Sequence, residues 1–139
     1  MAEFIIEMIK AKKNHTIRKS LKEEPYPADY TNAERKTITV AFKHGISEKR
    51  SCVRIADSIL ENPKYAKWRG ALSEYKKRYQ DDIFDTCKMY MDVLRDYCLE
   101  RVGNKMETEA FMCKQVGDLI RYMVEARPTP GPERKALVE

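Results

Sequence analysis

The chain has 139 residues, of which 42% are hydrophobic and 35% are charged, and it contains only five glycines and six prolines. A chain of this length forms about one domain, and its hydrophobic content argues against wholesale disorder. The formal net charge of +5 combines 27 basic with 22 acidic residues. This mixture argues against an indiscriminate binder of polyanions, so any useful positive charge must be local.

Hydrophobic residues recur at steps of three and four along most of the chain, which predicts an all-α fold, an antiparallel array of about five helices. The helices are expected at about residues 2–13, 15–23, 31–61, 64–101 and 105–126. Thr31 and Glu34 form a capping box that begins the third helix, and Pro63 ends it. The fourth helix would be about 55 Å long, at about 1.5 Å per residue.

The ends of the chain have a different composition. A proline-rich stretch begins at Arg127, so we predict one partial helical domain over residues 1–126 and a disordered tail over residues 127–139. The apolar run at residues 4–9 is interrupted by Glu7 and is too short to span a membrane. It also lacks a signal-peptide cleavage pattern, so a cytoplasmic protein is expected.

Residues suited to catalysis or metal binding are scarce. The four cysteines form no C-x-x-C pair and lie within helical patterns, which favours reduced structural thiols: Cys52, Cys87, Cys98 and Cys113. The only histidines, His15 and His44, belong to no E-x-x-H or H-E-x-x-H motif, and no Gly-rich phosphate loop is present. The sequence therefore predicts neither an enzyme nor a bound cofactor or metal.

A basic stripe lies on the predicted helix over residues 31–61. Lys43, Arg50 and Arg54 fall within about 40° on a helical wheel. The opposite side carries apolar residues: Ile38, Ala41, Cys52, Ala56 and Ile59. An amphipathic helix with a solvated face has this pattern, but so does an anion site, because guanidinium groups bind phosphate oxygens through two parallel donors.

The predicted helix over residues 105–126 offers a second wall for such a site. Lys114, Asp118 and Arg121 share one of its faces, with Tyr122 beside them. Arg121 would add a second guanidinium with two parallel N–H donors, and Tyr122 would add a hydroxyl donor. Asp118 would pair with the cations and hold them in place. A surface network of ion pairs has the same spacing, and periodicity alone leaves both interpretations open.

Four segments of the chain resemble the 14-3-3 family. They are Asn32-Ala33-Glu34-Arg35, then Ala41-Phe42-Lys43 with Lys49-Arg50-Ser51 and Arg54, then Glu74-Tyr75 with Asp85-Thr86-Cys87, and the K-x-x-G-D-x-x-R-Y-x-x-E run from Lys114 to Glu125. They follow one another in the family's order and at its separations, over about residues 32–125. In two places the chain departs from the family: Cys52-Val53 stands where Ser-Trp is usual, and the opening helices diverge.

The resemblance implies an adaptor or scaffold that binds phosphoserine or phosphothreonine in client proteins and catalyses no reaction. It implies a phosphate pocket formed by four residues: Lys43, Arg50, Arg121 and Tyr122. Three others are expected to support it: Arg54, Lys114 and Asp118. Family members have nine helices and form dimers in which the first helices pack on the partner's third and fourth helices, so a homo- or heterodimer is expected.

Two other functions remain open at this point. The stripe of Lys43, Lys49, Arg50 and Arg54 suits a helical protein that binds nucleic acid or an anionic membrane surface. A basic run nearer the N-terminus would help it: Lys10, Lys12, Lys13, Arg18 and Lys19. The acids interleaved through the predicted helix over residues 64–101 count against that function. The other alternative is a degenerate family member that only dimerises.

Overall fold

The computed structural model describes residues 3–10, 30–97 and 106–127. These segments form four α-helices: α1 (residues 3–10), α2 (Asn32–Leu60), α3 (Arg69–Tyr97) and α4 (Met106–Ala126). A short 3₁₀ helix, Pro63–Trp68, precedes α3, and no strand occurs among the described residues. The all-α prediction is confirmed, with about four helices instead of five; the helix expected at residues 15–23 lies outside the described residues.

The start of α2 has the predicted capping box. The Thr31 hydroxyl accepts a hydrogen bond from the Glu34 backbone N–H at 3.2 Å. In return, the Glu34 carboxylate accepts from the Thr31 backbone N–H at 2.8 Å. These two bonds satisfy backbone donors that have no partner inside the helix, which explains why α2 begins here.

The connection between α2 and α3 differs from the prediction of one α-helix starting near residue 64. The Asn62 carbonyl accepts from the Tyr65 backbone N–H at 3.1 Å, a three-residue step, and the Asn62 side chain accepts from the Lys64 backbone N–H at 3.0 Å. Tyr65, at φ −102° and ψ 15°, lies outside the α region. Because of this tight turn, α3 begins at Arg69. The 29 residues of α3 give the helix a length of about 43 Å.

The core lies between the antiparallel helices α2 and α3. The Phe42 ring stacks on the Tyr90 ring, with centroids 4.2 Å apart and planes at 6°. Farther along α2, Asp57 forms an ion pair with Lys76 of α3. α1 contributes its buried isoleucines, and α4 contributes a stripe of apolar side chains to the same cluster: Ile5, Ile6, Ile9, Met112, Leu119 and Met123.

α4 runs parallel to α2 and joins its second face through polar contacts. Among the described residues, four side-chain pairs connect them from the N-terminal to the C-terminal end: Arg35–Glu107 at 3.1 Å, Arg35–Thr108 at 3.0 Å, Thr39–Gln115 at 3.0 Å and Arg50–Glu125 at 2.6 Å. Just beyond α4, Arg127 pairs with Asp81 of α3 at 2.8 Å. The residues predicted as the two walls of an anion site therefore lie on adjacent helices.

Two further expectations concern the thiols and the membrane. Cys52, Cys87 and Cys113 are free thiols, as predicted, and Cys98 lies outside the described residues. Within the segments that the structure describes, no helix combines the length and the apolarity that crossing a membrane requires.

Candidate anion-binding site

A cavity of about 280 Å³ lies between α2 and α4. Five residues predicted for the site line it: Lys43, Lys114, Asp118, Arg121 and Tyr122. The rest of the lining comes from Thr39, Phe42, Gln115 and Leu119. One wall of the cavity is the exposed edge of α2, and the other is the face of α4 that was predicted as the second wall. The two walls face one cavity because the two helices run side by side in the same direction.

Arg50 and Arg121 converge on one carboxylate beside this cavity. Arg50 Nη2 lies 2.6 Å from Glu125 Oε2, and Arg121 Nη1 lies 3.0 Å from Glu125 Oε1. Each guanidinium thus binds a different oxygen of the same carboxylate. Side chains from two helices that are distant in sequence therefore bind the same anionic group, the carboxylate of Glu125.

The Tyr122 ring fixes the positions of both arginines. The guanidinium carbon of Arg50 lies 4.5 Å from the ring centroid, and that of Arg121 lies 4.6 Å away. These are cation–π distances, and the ring is itself held in place because Tyr122 is only 9% exposed. Desolvation acts to lower the pKa of Arg121, but Tyr122, Glu125 and Asp118 outweigh it and raise that pKa above its ordinary value.

Asp118 connects the remaining cation of α4 to the cluster. Its carboxylate lies 3.0 Å from Lys114 Nζ and 3.6 Å from Arg121 Nη2. The site therefore combines four cationic side chains, from Lys43, Arg50, Lys114 and Arg121, with two carboxylates, from Asp118 and Glu125. Four positive charges against two negative ones leave an excess of two, which suits a dianionic ligand.

The other predicted cations lie in different surroundings. Lys43 is exposed and forms no ion pair within the part of the chain that the structure describes. Arg54 is also exposed but does not line the cavity. Lys49 is turned toward α3, where its ammonium lies 2.8 Å from the Asp82 carboxylate and donates to the Thr86 hydroxyl at 2.9 Å. Lys49 is therefore not free to follow a nucleic-acid backbone along α2.

Glu125 and the Thr39–Gln115 pair belong to the site but were not among the residues predicted for it from the sequence. Glu125 lies four residues after Arg121, a spacing that is typical of an ion pair within a helix. The Arg121–Glu125 contact was therefore predictable from the sequence. The hydrogen bond from Gln115 to Thr39 was not predictable from the sequence, because it depends on how α2 and α4 pack. Gln115 is 5% exposed, so this bond satisfies a buried amide at the cavity wall.

The described residues offer no metal site, and the buried thiol of Cys87 is not activated. No group of three or more His, Cys, Asp or Glu side chains in residues 3–10, 30–97 and 106–127 could hold a metal ion. Burial raises the pKa of Cys87 to about 12, although Lys49 and Arg50 act to lower it. Cys87 is therefore a protonated core thiol, which is a poor nucleophile.

Comparison with known proteins identifies the family. The 14-3-3 protein family model matches residues 3–139. The chain belongs to the 14-3-3 family. Its relatives include 14-3-3-like protein 2 of Caenorhabditis elegans, 26% identical over 113 residues, and 14-3-3 protein theta of Gallus gallus, also 26% identical over 113 residues. It is 27% identical over 112 residues to 14-3-3-like protein 1 of Caenorhabditis elegans.

The matched region is a larger share of this chain than of its relatives. It takes in 81% of this 14-3-3 chain but 44% of 14-3-3-like protein 2 and 45% of 14-3-3 protein theta. The chain therefore spans less than half the length of the curated relatives that it matches.

Proposed function

We propose that this 14-3-3 chain is an adaptor that binds phosphoserine or phosphothreonine segments of client proteins between α2 and α4. In this proposal Lys43, Arg50, Arg121 and Tyr122 hold the phosphate. The observation that carries the proposal is the convergence of Arg50 and Arg121, from two helices, on the Glu125 carboxylate. An arrangement that holds one internal anion has the donors and the charge to hold an external one.

The chemistry of a phosphate group favours its exchange with Glu125. A phosphorylated side chain carries about −1.5 to −2 charges and three acceptor oxygens, against a single charge on a carboxylate. Arg50 uses one nitrogen toward Glu125, and a guanidinium has five N–H donors, so donors remain for the ligand. Lys43 adds a third charge, and the Tyr122 hydroxyl adds a neutral donor.

The supporting residues act on the electrostatics of the site. Lys114 and Asp118 bind each other, and Asp118 also restrains Arg121. Arg54 lies one helical turn after Arg50 and would attract an anion during its approach without touching it. Membership of a family of non-enzymatic adaptors supports binding without catalysis, and a cytoplasmic location is proposed on the same ground.

Fluorescence anisotropy with a phosphoserine peptide and its unphosphorylated twin tests this function. We expect saturable binding of the phosphopeptide alone. Arg121→Ala should weaken it by about ten- to a hundredfold, because hydrogen bonds to a charged group contribute about 1.5–3 kcal/mol. Arg78→Ala is the matched control, because Arg78 also pairs with a glutamate four residues away, Glu74 at 3.3 Å, but lies on α3.

Three results would contradict the proposal. Equal binding of both peptides would leave nucleic-acid or anionic-surface binding as the leading function, to be measured with single-stranded and duplex oligonucleotides over a range of salt concentrations. No binding of either peptide would leave a family member that only dimerises. Equal weakening by Arg121→Ala and Arg78→Ala would show that the loss is not specific to the α2–α4 site.

We also propose that the chain forms a homo- or heterodimer, as its family does. An apolar groove of about 630 Å³ supports this proposal; it is lined by Ile55, Ala56, Ile59, Tyr65, Trp68, Ala71, Leu72 and Tyr75. Within it Ile55 is 59% exposed and Trp68 is 55% exposed. Contiguous apolar surface of this kind is typical of a protein–protein interface.

Sedimentation velocity tests the dimer. Ile55→Asp places a charge in the groove and should shift the chain toward monomer, because burying an unpaired charge opposes association. Val40→Asp is the control, since Val40 is a similarly exposed apolar residue of α2 outside the groove. A dimer that persists in Ile55→Asp, or one that Val40→Asp disrupts equally, would place the interface elsewhere.

A further inference from the structure

A second cavity, of about 510 Å³, lies between the N-terminal parts of α2 and α4. It is lined by Asn32, Ala33, Arg35, Lys36 and Phe111. Lys36 is one helical turn before Thr39, and Phe111 is one turn before Gln115, so this cavity directly precedes the anion site along the same pair of helices.

Only one cation of this second cavity is available to a ligand. Arg35 is buried and is occupied by four acceptors, among them the carboxylate of Glu107. Lys36 is exposed and forms no ion pair with any residue that the structure describes. The lining contains no carboxylate, so nothing in it neutralises the Lys36 ammonium.

We infer that Lys36 determines specificity by favouring phosphopeptides that carry a second negative charge about three to five residues from the phosphorylated side chain. This inference rests on the proposed function. Lys36 precedes Lys43 by seven residues, so their Cα atoms are about 10.5 Å apart along α2, on the same side of the helix. An extended peptide covers this distance in about three residues, at about 3.3 Å each, and it covers the roughly 16 Å to a phosphate held midway between Lys43 and Arg50 in about five.

The second charge is provided by an aspartate, a glutamate or another phosphorylated residue of the client. The Phe111 ring, which packs against the core, forms an apolar wall of the cavity for the stem of that side chain. The preference has a direction: only acids on the side of the phosphorylated residue that faces the N-terminal end of α2 reach Lys36. Acids on the other side point toward Arg54.

The test starts from a phosphoserine peptide with neutral flanks and adds a single glutamate at each position from two to six residues before or after the phosphoserine. We expect glutamate on one side to increase affinity about 1.4- to fivefold at low salt, because an exposed ion pair contributes about 0.2–1 kcal/mol. The gain should shrink as salt screens it. Lys36→Ala should abolish that gain and Lys36→Arg should keep it.

Two controls separate this inference from the proposed function. Lys77→Ala removes the same charge from an exposed lysine of α3 that forms no ion pair with the described residues, and it should leave the gain intact. Affinity for the neutral-flank phosphopeptide reports only on the phosphate site, and Lys36→Ala should change it less than twofold. A gain that survives Lys36→Ala, or no gain at any position, overturns the inference while the proposed function stands. No binding of the neutral-flank phosphopeptide to the wild-type chain overturns both.

Discussion

The two ends of the α2–α4 contact use the same chemistry, an arginine of α2 facing a glutamate of α4, with different results. At the N-terminal end both terminal nitrogens of Arg35 are occupied: they donate to the Tyr30 carbonyl, the Thr108 hydroxyl, the Asn32 amide oxygen and the Glu107 carboxylate. At the C-terminal end Arg50 donates to Glu125 alone among the described residues and lies over an aromatic ring.

The difference lies in burial and in the number of acceptors. Arg35 is 8% exposed, so its acceptors cannot be exchanged for water or ligand without leaving buried polar groups unpaired. Arg121 lines the cavity between α2 and α4, and the Glu125 carboxylate that it shares with Arg50 is 43% exposed, so this carboxylate can be exchanged for another anion. The first end therefore stabilises the fold, and the second is suited to recognition.

The largest expected effect is on stability at the buried end. Arg35→Ala should lower the free energy of unfolding by about 3 kcal/mol, because it leaves the fully buried Thr108 hydroxyl without its donor. Denaturant unfolding monitored by circular dichroism measures this. Arg78→Ala, which removes only an exposed ion pair, should cost less than about 0.5 kcal/mol. Equal effects of the two substitutions would refute the structural role assigned to the buried Arg35.

At the C-terminal end a smaller effect is expected, a gain in affinity for the phosphopeptide. Glu125→Gln removes the internal anion but keeps the size of the side chain, so a phosphopeptide no longer competes with a carboxylate for Arg50 and Arg121. Its affinity should rise about two- to fivefold, corresponding to about 0.5–1 kcal/mol. Titration calorimetry measures the change, with Glu74→Gln as the control. A fall in affinity would show instead that Glu125 is needed to position the arginines.

Local patterns in the sequence predicted much of the fold. Thr31 and Glu34 signalled the start of α2, and the period of apolar residues identified α2, α3 and α4 as helices. The late start of α3 was not predictable from periodicity, since the apolar steps of residues 65–72 fit an α-helix, whereas Asn62 forms a tighter turn.

The candidate site was predictable only in part. Wheel positions placed Lys43 and Arg50 on one face of α2, and the resemblance to the family selected them together with Arg121 and Tyr122. Their juxtaposition depends on the parallel alignment of α2 with α4, which no local pattern encodes. The ion pair of Lys49 with Asp82, which removes one cation from the predicted stripe, depends on packing between α2 and α3 in the same way.

The most direct test is the ratio of the affinities for the phosphopeptide and its unphosphorylated twin in the wild-type chain and in Arg50→Ala/Arg121→Ala. This ratio isolates the contribution of the phosphate from all other contacts. If the two arginines bind the phosphate, the wild-type ratio should be about a hundred or more, and it should fall close to one in the double variant while the free energy of unfolding changes by less than about 1 kcal/mol. An unchanged ratio in a folded double variant would contradict the central claim, because the phosphate would then bind elsewhere.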